Sequence, residues 1–291
     1  MTSPVDMNRP KNFDTSKYLY QYRNCKDALK YMLCDDGKIL LNQLKYVNDP
    51  RESKFKGFGL YGGEFENDEV PKYFNAVSDH FTSCVKIACF SKDDVRISTP
   101  PYSTPEPFLR GYAKPKMWAT YGDNHKGVCL IFHKNQLIEN LAKLSLPSEK
   151  FYHGDVGYDK FVETAGVKMW RTLMPEGAFS FKGARLKSHF KDYILEQIEE
   201  HHVRYFFWKH EDWRSEDEYR LVIYGERKEV AFLPCQNTIA GIAVGMDCNK
   251  ENLEALVKAA NRLKIPIVQP EWSIQGWGQK HHNEIAWSGR F

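Results

Sequence analysis

The sequence lacks both an excess of charge of one sign and a long apolar run. Its 291 residues hold 41 Lys and Arg against 38 Asp and Glu, a formal net charge of +3. A surplus this small gives no signal of nucleic-acid binding, because nucleic-acid binders usually cluster basic residues on one face. The longest apolar stretches, residues 128–132 and 239–246, are far shorter than the roughly 20 residues that cross a bilayer. We therefore expect no membrane partner.

The motifs of common metal and nucleotide sites are also missing. No Cys-x-x-Cys or His-Glu-x-x-His spacing occurs, and the adjacent His201 and His202 point apart on a helix, so no metal is predicted. No glycine-rich nucleotide fingerprint follows a predicted strand, which argues against Rossmann and P-loop folds. A serine triad is not expected either, because the chain lacks a nucleophile elbow.

Cysteine is present without paired spacing. The 7 cysteines are an odd number, and Cys89 and Cys129 lie in apolar runs, where cysteine behaves as a small hydrophobic side chain. A reducing compartment is the simplest explanation. The first residues also lack the charged-then-apolar layout of a signal peptide. We expect a cytoplasmic protein of undetermined oligomeric state.

Aromatic residues, by contrast, are abundant at 14%, and they can fill a large core or build stacking pockets for flat ligands.

Strand and helix patterns follow one another without regular alternation, which predicts an α+β fold with a mixed, mostly antiparallel sheet and packed helices. We predict one domain over residues 18–270, a loose N-terminal arm over 1–17 and a Trp/Gly/His-rich tail over 271–291. The predicted strands include 18–23, 85–91, 218–224 and 239–244, and the predicted helices include 184–203 and 252–263.

Two early segments carry candidate ligand-binding residues. Arg23 ends a predicted strand just after Tyr22, and an arginine placed there can clamp a phosphate or carboxylate through two hydrogen bonds. A solvated arginine on an edge strand is the alternative. Asn48 and Asp49 precede Pro50 in a predicted turn that could aim both side chains into a cleft. The alternative is a turn with a structural role only.

The segment from Met117 to Gly127 is the third candidate. Trp118 and Tyr121 lie three residues apart, on one face of a predicted helix, and could form a stacking wall. His125 follows in a turn and could offer a proton or a hydrogen bond. A structural histidine in a turn is the alternative.

The fourth candidate begins at Trp213 and ends at Arg220. If a strand starts at Glu218, then Glu216 and Glu218 share one face. Two carboxylates at this spacing are expected to raise each other's proton affinity and to divide two roles, one orienting a hydroxyl and the other stabilising a positive transition state. The alternative is a solvated pair, with Arg220 bound to one of the acids.

Taken in order, these segments resemble the mostly bacterial domain-of-unknown-function family 2971. The motifs that carry the resemblance are Leu-Tyr-x-Tyr-Arg at 19–23, Asn-Asp-Pro at 48–50, Cys-Phe-Ser at 89–91, Met-Trp-x-x-Tyr-x-x-x-His-x-Gly at 117–127, and Trp-x-x-Glu-x-Glu-Tyr-Arg at 213–220. The resemblance covers roughly residues 18–270. Arg51 and Gly122 depart from the family's usual Phe or Tyr and Ala, and the proline-rich stretch from 100 to 115 looks like an insertion.

The order of arginine strand, strand-ending serine and late glutamate is similar to the layout of ADP-ribosyltransferases. This layout implies that Arg23 holds NAD, that Ser91 supports the site, and that Glu218 stabilises the oxocarbenium-like transition state as nicotinamide leaves. It further implies that Glu216 activates an acceptor, while Trp118 and Tyr121 stack on a base or on nicotinamide. NAD, a nucleotide small molecule, is the expected substrate, and a protein or nucleic acid is the expected acceptor.

Three functions therefore compete. The first is an NAD-consuming enzyme, an ADP-ribosyltransferase or NAD glycohydrolase, with a role as a toxin or antiviral defence effector. The second is an enzyme or binder of nucleic acid, which the near-neutral charge disfavours. The third is a non-catalytic sensor or interaction module, in which the same motifs serve a structural core.

Overall fold

A computed structural model describes most of the chain. The described residues are 17–54, 59–61, 65, 68–94, 109–159, 161–164, 167–170, 180–227, 229–273 and 276–283. Residues 1–16 of the predicted arm, residues 95–108, which include the start of the proline-rich stretch, and residues 284–291 of the tail lie outside these ranges.

Strands and helices follow one another irregularly along the chain, as the α+β prediction requires. The strands are β1 (Tyr18–Arg23), β2 (Lys38–Gln43), β3 (Gly59–Tyr61), β4 (Val85–Ser91), β5 (Val128–His133), β6 (Lys150–Asp155), β7 (Gly157–Asp159), β8 (Phe161–Thr164), β9 (Val167–Trp170), β10 (Ser180–Lys182), β11 (Trp208–His210), β12 (Glu218–Tyr224), β13 (Ala231–Pro234), β14 (Ile239–Val244), β15 (Ile267–Ser273) and β16 (Gly276–His281). The helices are α1 (Cys25–Asp27), α2 (Pro50–Ser53), α3 (Glu69–Cys84), α4 (Pro115–Tyr121), α5 (Lys134–Leu144), α6 (Gly183–Ser188), α7 (Phe190–Phe206) and α8 (Lys250–Leu263). A π-helical turn (Ala28–Met32) and 3-10 turns (Leu44–Tyr46, Glu211–Glu216 and Gln236–Thr238) complete the described elements.

The chain forms two compact units, each assembled from separate stretches of sequence. The first unit comprises the described residues of Met1–Cys25, Lys92–Asn135 and Ile239–Phe291. The second unit comprises those of Lys26–Ser91 and Gln136–Thr238. Because each unit takes in distant stretches, motifs far apart in sequence can meet within one unit.

The sheet of the first unit has the strand order β1–β5–β14–β15–β16. Strand β1 runs antiparallel to β5 from the pair Tyr18–His133 to the pair Arg23–Val128. Strand β5 is also antiparallel to β14, whose register shifts between Ile239 and Gly241. Strands β14 and β15 are parallel, with α8 in the connection between them, and β15 and β16 form an antiparallel pair.

Aromatic side chains dominate one face of this sheet. Alternate residues of β1 point the same way, so Tyr18, Tyr20 and Tyr22 lie together. They pack with buried residues of α4 and its approach, among them Tyr112 and Trp118. Much of the unusual aromatic content is therefore core rather than exposed surface.

The sheet of the second unit is antiparallel, with the order β13–β2–β4–β12–β6. Strand β12 lies between β4 and β6 and is buried at every position. Helices α3 and α7 cover the apolar core, to which Phe81, Ile194 and Phe206 contribute fully buried side chains. The short pairs β3–β10, β7–β11 and β8–β9 lie outside this sheet.

The prediction of an α+β fold with a mixed, mostly antiparallel sheet is confirmed. The single helix predicted over 184–203 is wrong, because the chain leaves helical geometry at His189 (φ −143°, ψ 54°) and forms α6 and α7 instead. The apolar stripe continues across the break, so side-chain periodicity alone did not reveal it. Strand β16 was not predicted, and His281, expected in a flexible tail, ends it.

Gly127 joins the turn after α4 to β5, and the surrounding backbone leaves no room for a side chain at this position. A Cβ at this position would lie 2.3 Å from the Arg23 carbonyl oxygen and 2.8 Å from that of Gly122, both backbone atoms. We expect Gly127→Ala to destabilise the protein by about 1–3 kcal/mol, the usual cost of overpacking. Thermal unfolding measures this.

Gly278→Ala is the matched control, since a Cβ at Gly278 in β16 meets nothing within 4 Å. Equal melting temperatures for the two variants would contradict the backbone-contact explanation.

Candidate functional site

Charged side chains of the second unit meet around the start of β12. Glu218 and Arg220 stand two residues apart on β12 and so share a face. Lys209 comes from β11, Glu216 from the 3-10 turn before β12, and Glu52 from α2. Each of these side chains is 11% exposed or less. We call these five residues the charge cluster.

Arg220 is the most deeply buried member of the charge cluster, with a side chain 1% exposed. Its Nε lies 2.6 Å from Oε1 of Glu218, and its Nη2 lies 3.1 Å from Oε2 of the same carboxylate. The two Nη atoms also bind the Glu52 carboxylate, and Nη1 donates to the Phe206 carbonyl oxygen at 2.7 Å. This geometry confirms Arg220 as the partner of one of the predicted acids.

Lys209 is the second cation of the charge cluster, and it binds two of the carboxylates. Its Nζ lies 2.7 Å from Oε2 of Glu216 and 2.9 Å from Oε2 of Glu218. The same ammonium lies 4.8 Å from the centre of the Trp213 ring, within range of a cation–π contact. Glu218 therefore contacts a cation through each of its oxygens.

Three carboxylates against two cations leave one negative charge in excess when all five groups are ionised. Burial would raise the pKa of Glu218, but the charges of Arg220 and Lys209 outweigh it and lower that pKa to about 2. Burial dominates at Glu52 and raises its pKa in spite of Arg220. The expectation that Glu216 and Glu218 raise each other's proton affinity is therefore wrong for Glu218, which stays ionised at neutral pH. Neighbouring cations, which the two-residue spacing did not reveal, decide the direction.

Ser91, predicted to support the site, lies directly beside Glu218. The two residues are paired across the antiparallel strands β4 and β12. The Ser91 hydroxyl is buried and donates a hydrogen bond to the Glu216 carbonyl oxygen. Asp217, between the two glutamates, adopts a left-handed conformation (φ 43°), which costs a non-glycine residue about 1 kcal/mol. The serine thus helps to hold the strained entry into β12.

Two members of the charge cluster were not identified from the sequence. Glu52 follows the Asn-Asp-Pro motif closely, and α2 begins there, with the Asp49 carbonyl oxygen accepting from the amides of Glu52 and Ser53. Asp49 itself is buried, whereas Asn48 is exposed. Lys209 had no signal in the sequence, because it belongs to no motif and meets the acids only through the fold.

The first unit contains a second group of predicted residues. Tyr22 is buried, donates to the Gly111 carbonyl oxygen at 2.7 Å, and packs edge-on against Trp118 with ring centres 5.0 Å apart. Trp118 is fully buried, and its Nε1 donates to the Tyr112 carbonyl oxygen at 2.8 Å. A stacking wall needs an exposed ring face, which Trp118 does not have here. Tyr121 is only partly buried.

The turn after α4 is strained and well anchored. Asp123, Asn124 and His125 all have positive φ, at 51°, 48° and 67°. The His125 amide donates to the Trp118 carbonyl oxygen at 3.3 Å, and the His125 carbonyl oxygen accepts from the Asp247 amide at 3.0 Å. Strained backbone of this kind persists only where the surroundings hold it, which is common at functional sites.

His125 lies beside a residue that the sequence did not single out. Its ring centre is 6.0 Å from that of Trp272, on β15, with the two planes nearly perpendicular. Within the described residues, His125 Nδ1 and Trp272 Nε1 are buried and have no hydrogen-bond partner. Trp272 falls at the start of the predicted tail, which explains why it was missed.

The predicted site residues thus divide between the two units. The first unit holds Tyr22, Arg23, Trp118, Tyr121 and His125, and the second holds Asn48, Asp49, Ser91, Glu216 and Glu218. Arg23, the predicted NAD clamp, is half-buried at the end of β1. The fold brings Ser91, Glu216 and Glu218 together around the start of β12, and it brings Tyr22, Trp118 and His125 together in the first unit.

Among the residues that the structure describes, no group of three or more His, Cys, Asp or Glu side chains is arranged to hold a metal ion. No helix in the described part of the chain combines the length and the apolar character needed to cross a membrane.

Comparison with known families matches residues 117–221 to the model of DUF2971, a protein of unknown function. The predicted resemblance to this family is confirmed over that range, which contains the Met117–Gly127 and Trp213–Arg220 motifs. The three earlier motifs lie outside it. No curated protein and no solved structure matches the chain. None of these comparisons supports the ADP-ribosyltransferase layout.

The lowered pKa of Glu218 generates a second prediction. A carboxylate whose pKa falls from 4.5 to about 2 on folding adds stability that is present above pH 4.5 and lost as the pH falls towards 2. We expect wild-type protein to lose more unfolding free energy between pH 6 and pH 3 than Glu218→Gln does. Urea unfolding across this pH range measures the difference.

The control is Glu254→Gln, whose carboxylate lies on the exposed surface of α8. This variant should follow the wild-type pH profile. If Glu218→Gln also follows it, the charge cluster does not hold Glu218 ionised.

Proposed function

We propose that the chain consumes NAD as an ADP-ribosyltransferase or NAD glycohydrolase, with Glu218 as the carboxylate that stabilises the transition state. The observation that carries the proposal is the pairing of Ser91 with Glu218 across β4 and β12. Serine beside the late glutamate is what the ADP-ribosyltransferase layout requires of these two positions.

The protonation state of Glu218 also supports this role. In the proposed reaction the bond between ribose C1 and the nicotinamide nitrogen breaks, and the electron pair leaves with nicotinamide. The sugar then carries positive charge, which a nearby ionised carboxylate stabilises. A carboxylate with a pKa of about 2 is ionised throughout the physiological range. Water or a nucleophile of an acceptor completes the reaction at C1.

The proposal requires two changes around Glu218, release of its carboxylate by Lys209 and movement of the 3-10 turn before β12. The Glu218 side chain is 4% exposed and is bound by both Arg220 and Lys209. Lys209 can release Glu218 and keep a counterion, because Glu216 lies 2.7 Å from the same ammonium. Movement of the 3-10 turn that carries Trp213 and Glu216 would uncover Glu218. Glu216 would then be placed to activate the acceptor.

The remaining parts of the proposal rest on the sequence. Arg23 as the NAD clamp, Tyr121 as a contact to a ring, and His125 as the source of a proton or a hydrogen bond stay predictions. Trp118, predicted to stack beside Tyr121, is fully buried and has no exposed face for such a contact. A cytoplasmic location is proposed because the seven cysteines, all within the described residues, form no disulfide bond. We propose that the enzyme serves as a toxin or defence effector and that its acceptor is a protein or a nucleic acid.

A non-catalytic sensor or interaction module is the second candidate, and a different observation favours it. Glu218 is buried, and Arg220 and Lys209 bind both of its carboxylate oxygens. Buried ion pairs in a structural core are arranged in this way. In that case the charge cluster stabilises the unit and binds no substrate.

Incubation of the purified protein with NAD distinguishes the two candidates. The first predicts release of nicotinamide, measured by chromatography, and a rate about 100-fold lower for Glu218→Gln, the usual loss when one electrostatic contact to a transition state is removed. Circular dichroism should show that the variant is folded, and Glu254→Gln should keep the wild-type rate.

Absence of nicotinamide release from wild-type protein, together with no change in melting temperature on adding NAD, would reject the first candidate. A folded Glu218→Gln that retains the wild-type rate would reject the role of Glu218.

A further inference from the structure

Two cysteines of the first unit lie in contact, although 223 positions separate them in sequence. The Sγ atoms of Cys25 and Cys248 are 3.8 Å apart. Cys25 follows β1 directly, and Cys248 lies in the loop between β14 and α8. A disulfide needs the sulfur atoms at about 2.05 Å, so a closing movement of under 2 Å would join them.

We propose that Cys25 and Cys248 form a reversible redox-modification site, at which a hydroperoxide converts the two thiols into a disulfide. This inference goes beyond NAD consumption and does not depend on it.

The two thiols differ in solvent exposure and in pKa, and this difference gives each a separate role in the oxidation. Cys25 is buried, with 3% of its surface exposed, whereas Cys248 is partly exposed to solvent. Cys248 also lies immediately before Asn249, the N-cap of α8, where the helix dipole favours a negative charge. The contact between the two sulfur atoms lowers the pKa of Cys248, while the same contact and burial raise the pKa of Cys25. Cys248 is therefore the thiol that a peroxide reaches and that attacks as a thiolate.

The chemistry runs in two balanced steps. The Cys248 thiolate attacks one peroxide oxygen, the O–O bond breaks, and hydroxide or an alkoxide leaves with the electron pair and takes up the proton that Cys248 lost, giving water or an alcohol. Cys248 is oxidised to a sulfenic acid, and the peroxide is reduced. The Cys25 sulfur then attacks Cys248 Sγ, the S–O bond breaks, and the hydroxide leaves as water with the proton of Cys25. A dithiol reductant returns both thiols.

Oxidation would alter the turn that carries His125. In the reduced protein the Cys25 thiol donates to the Lys126 carbonyl oxygen at 3.3 Å. A disulfide has no S–H, so the turn loses this contact. On the other side, the residue before Cys248 donates its amide to His125. The disulfide thus links both chain segments that border this strained turn.

Treatment of the folded protein with hydrogen peroxide, followed by alkylation, digestion and mass spectrometry, tests the proposal. We expect a peptide pair joined through Cys25 and Cys248, and its disappearance after reduction with dithiothreitol. The Cys34→Ser variant is the control, because Cys34 is also partly exposed, and it should form the same linkage.

Single-cysteine variants distinguish the thiol that the peroxide oxidises from the thiol that then forms the disulfide. In Cys25→Ser, and in Cys25→Ala should the serine variant unfold, Cys248 should accumulate as a sulfenic acid that dimedone traps. In Cys248→Ser, Cys25 should remain a thiol. The proposal is overturned if folded wild-type protein yields no linked peptide, or if Cys25 in Cys248→Ser oxidises as fast as Cys248 does in Cys25→Ser. Neither result depends on whether the protein consumes NAD.

Discussion

The buried guanidinium of Arg220 is the group on which the arrangement of the second unit depends most. It binds Glu218 on its own strand, Glu52 on α2, and the carbonyl oxygen at the end of α7. A charge in this position is tolerated only because its donors all find partners, and removing one partner of a buried pair commonly costs about 3–5 kcal/mol. The position of α2 and the end of α7 relative to β12 is therefore tied to one side chain.

The ion pair with Arg220 also determines the protonation state of Glu218 and therefore the reactions it can support. Arg220 and Lys209 keep the carboxylate ionised, as a group that stabilises a glycosyl cation must be. They also occupy its two carboxylate oxygens. A catalytic role and a structural role for Glu218 hence begin from one geometry. They differ in whether Lys209 can release Glu218 while keeping its bond to Glu216, and in whether the 3-10 turn before β12 can move.

Patterns local in sequence predicted much of this structure, and contacts between distant residues account for the rest. The strands over 18–23, 85–91 and 218–224 follow from local runs rich in aromatic and aliphatic residues and end where predicted. The pairing of Ser91 with Glu218 depends on strand register, which the two sequences alone do not determine. Lys209 and Trp272 reach the candidate sites by packing rather than by motif. The break at His189 was hidden because α6 and α7 keep one apolar stripe.

The central claim is that Glu218 contacts the ribose of NAD after Lys209 releases Glu218 and keeps its bond to Glu216. A crystal structure with an NAD analogue whose glycosidic bond cannot be cleaved tests it most directly. The account predicts a Glu218 carboxylate oxygen about 3 Å from a ribose hydroxyl, with the Lys209 ammonium bound to Glu216 alone. An analogue bound away from β12, with Glu218 still held by both Arg220 and Lys209, would contradict it.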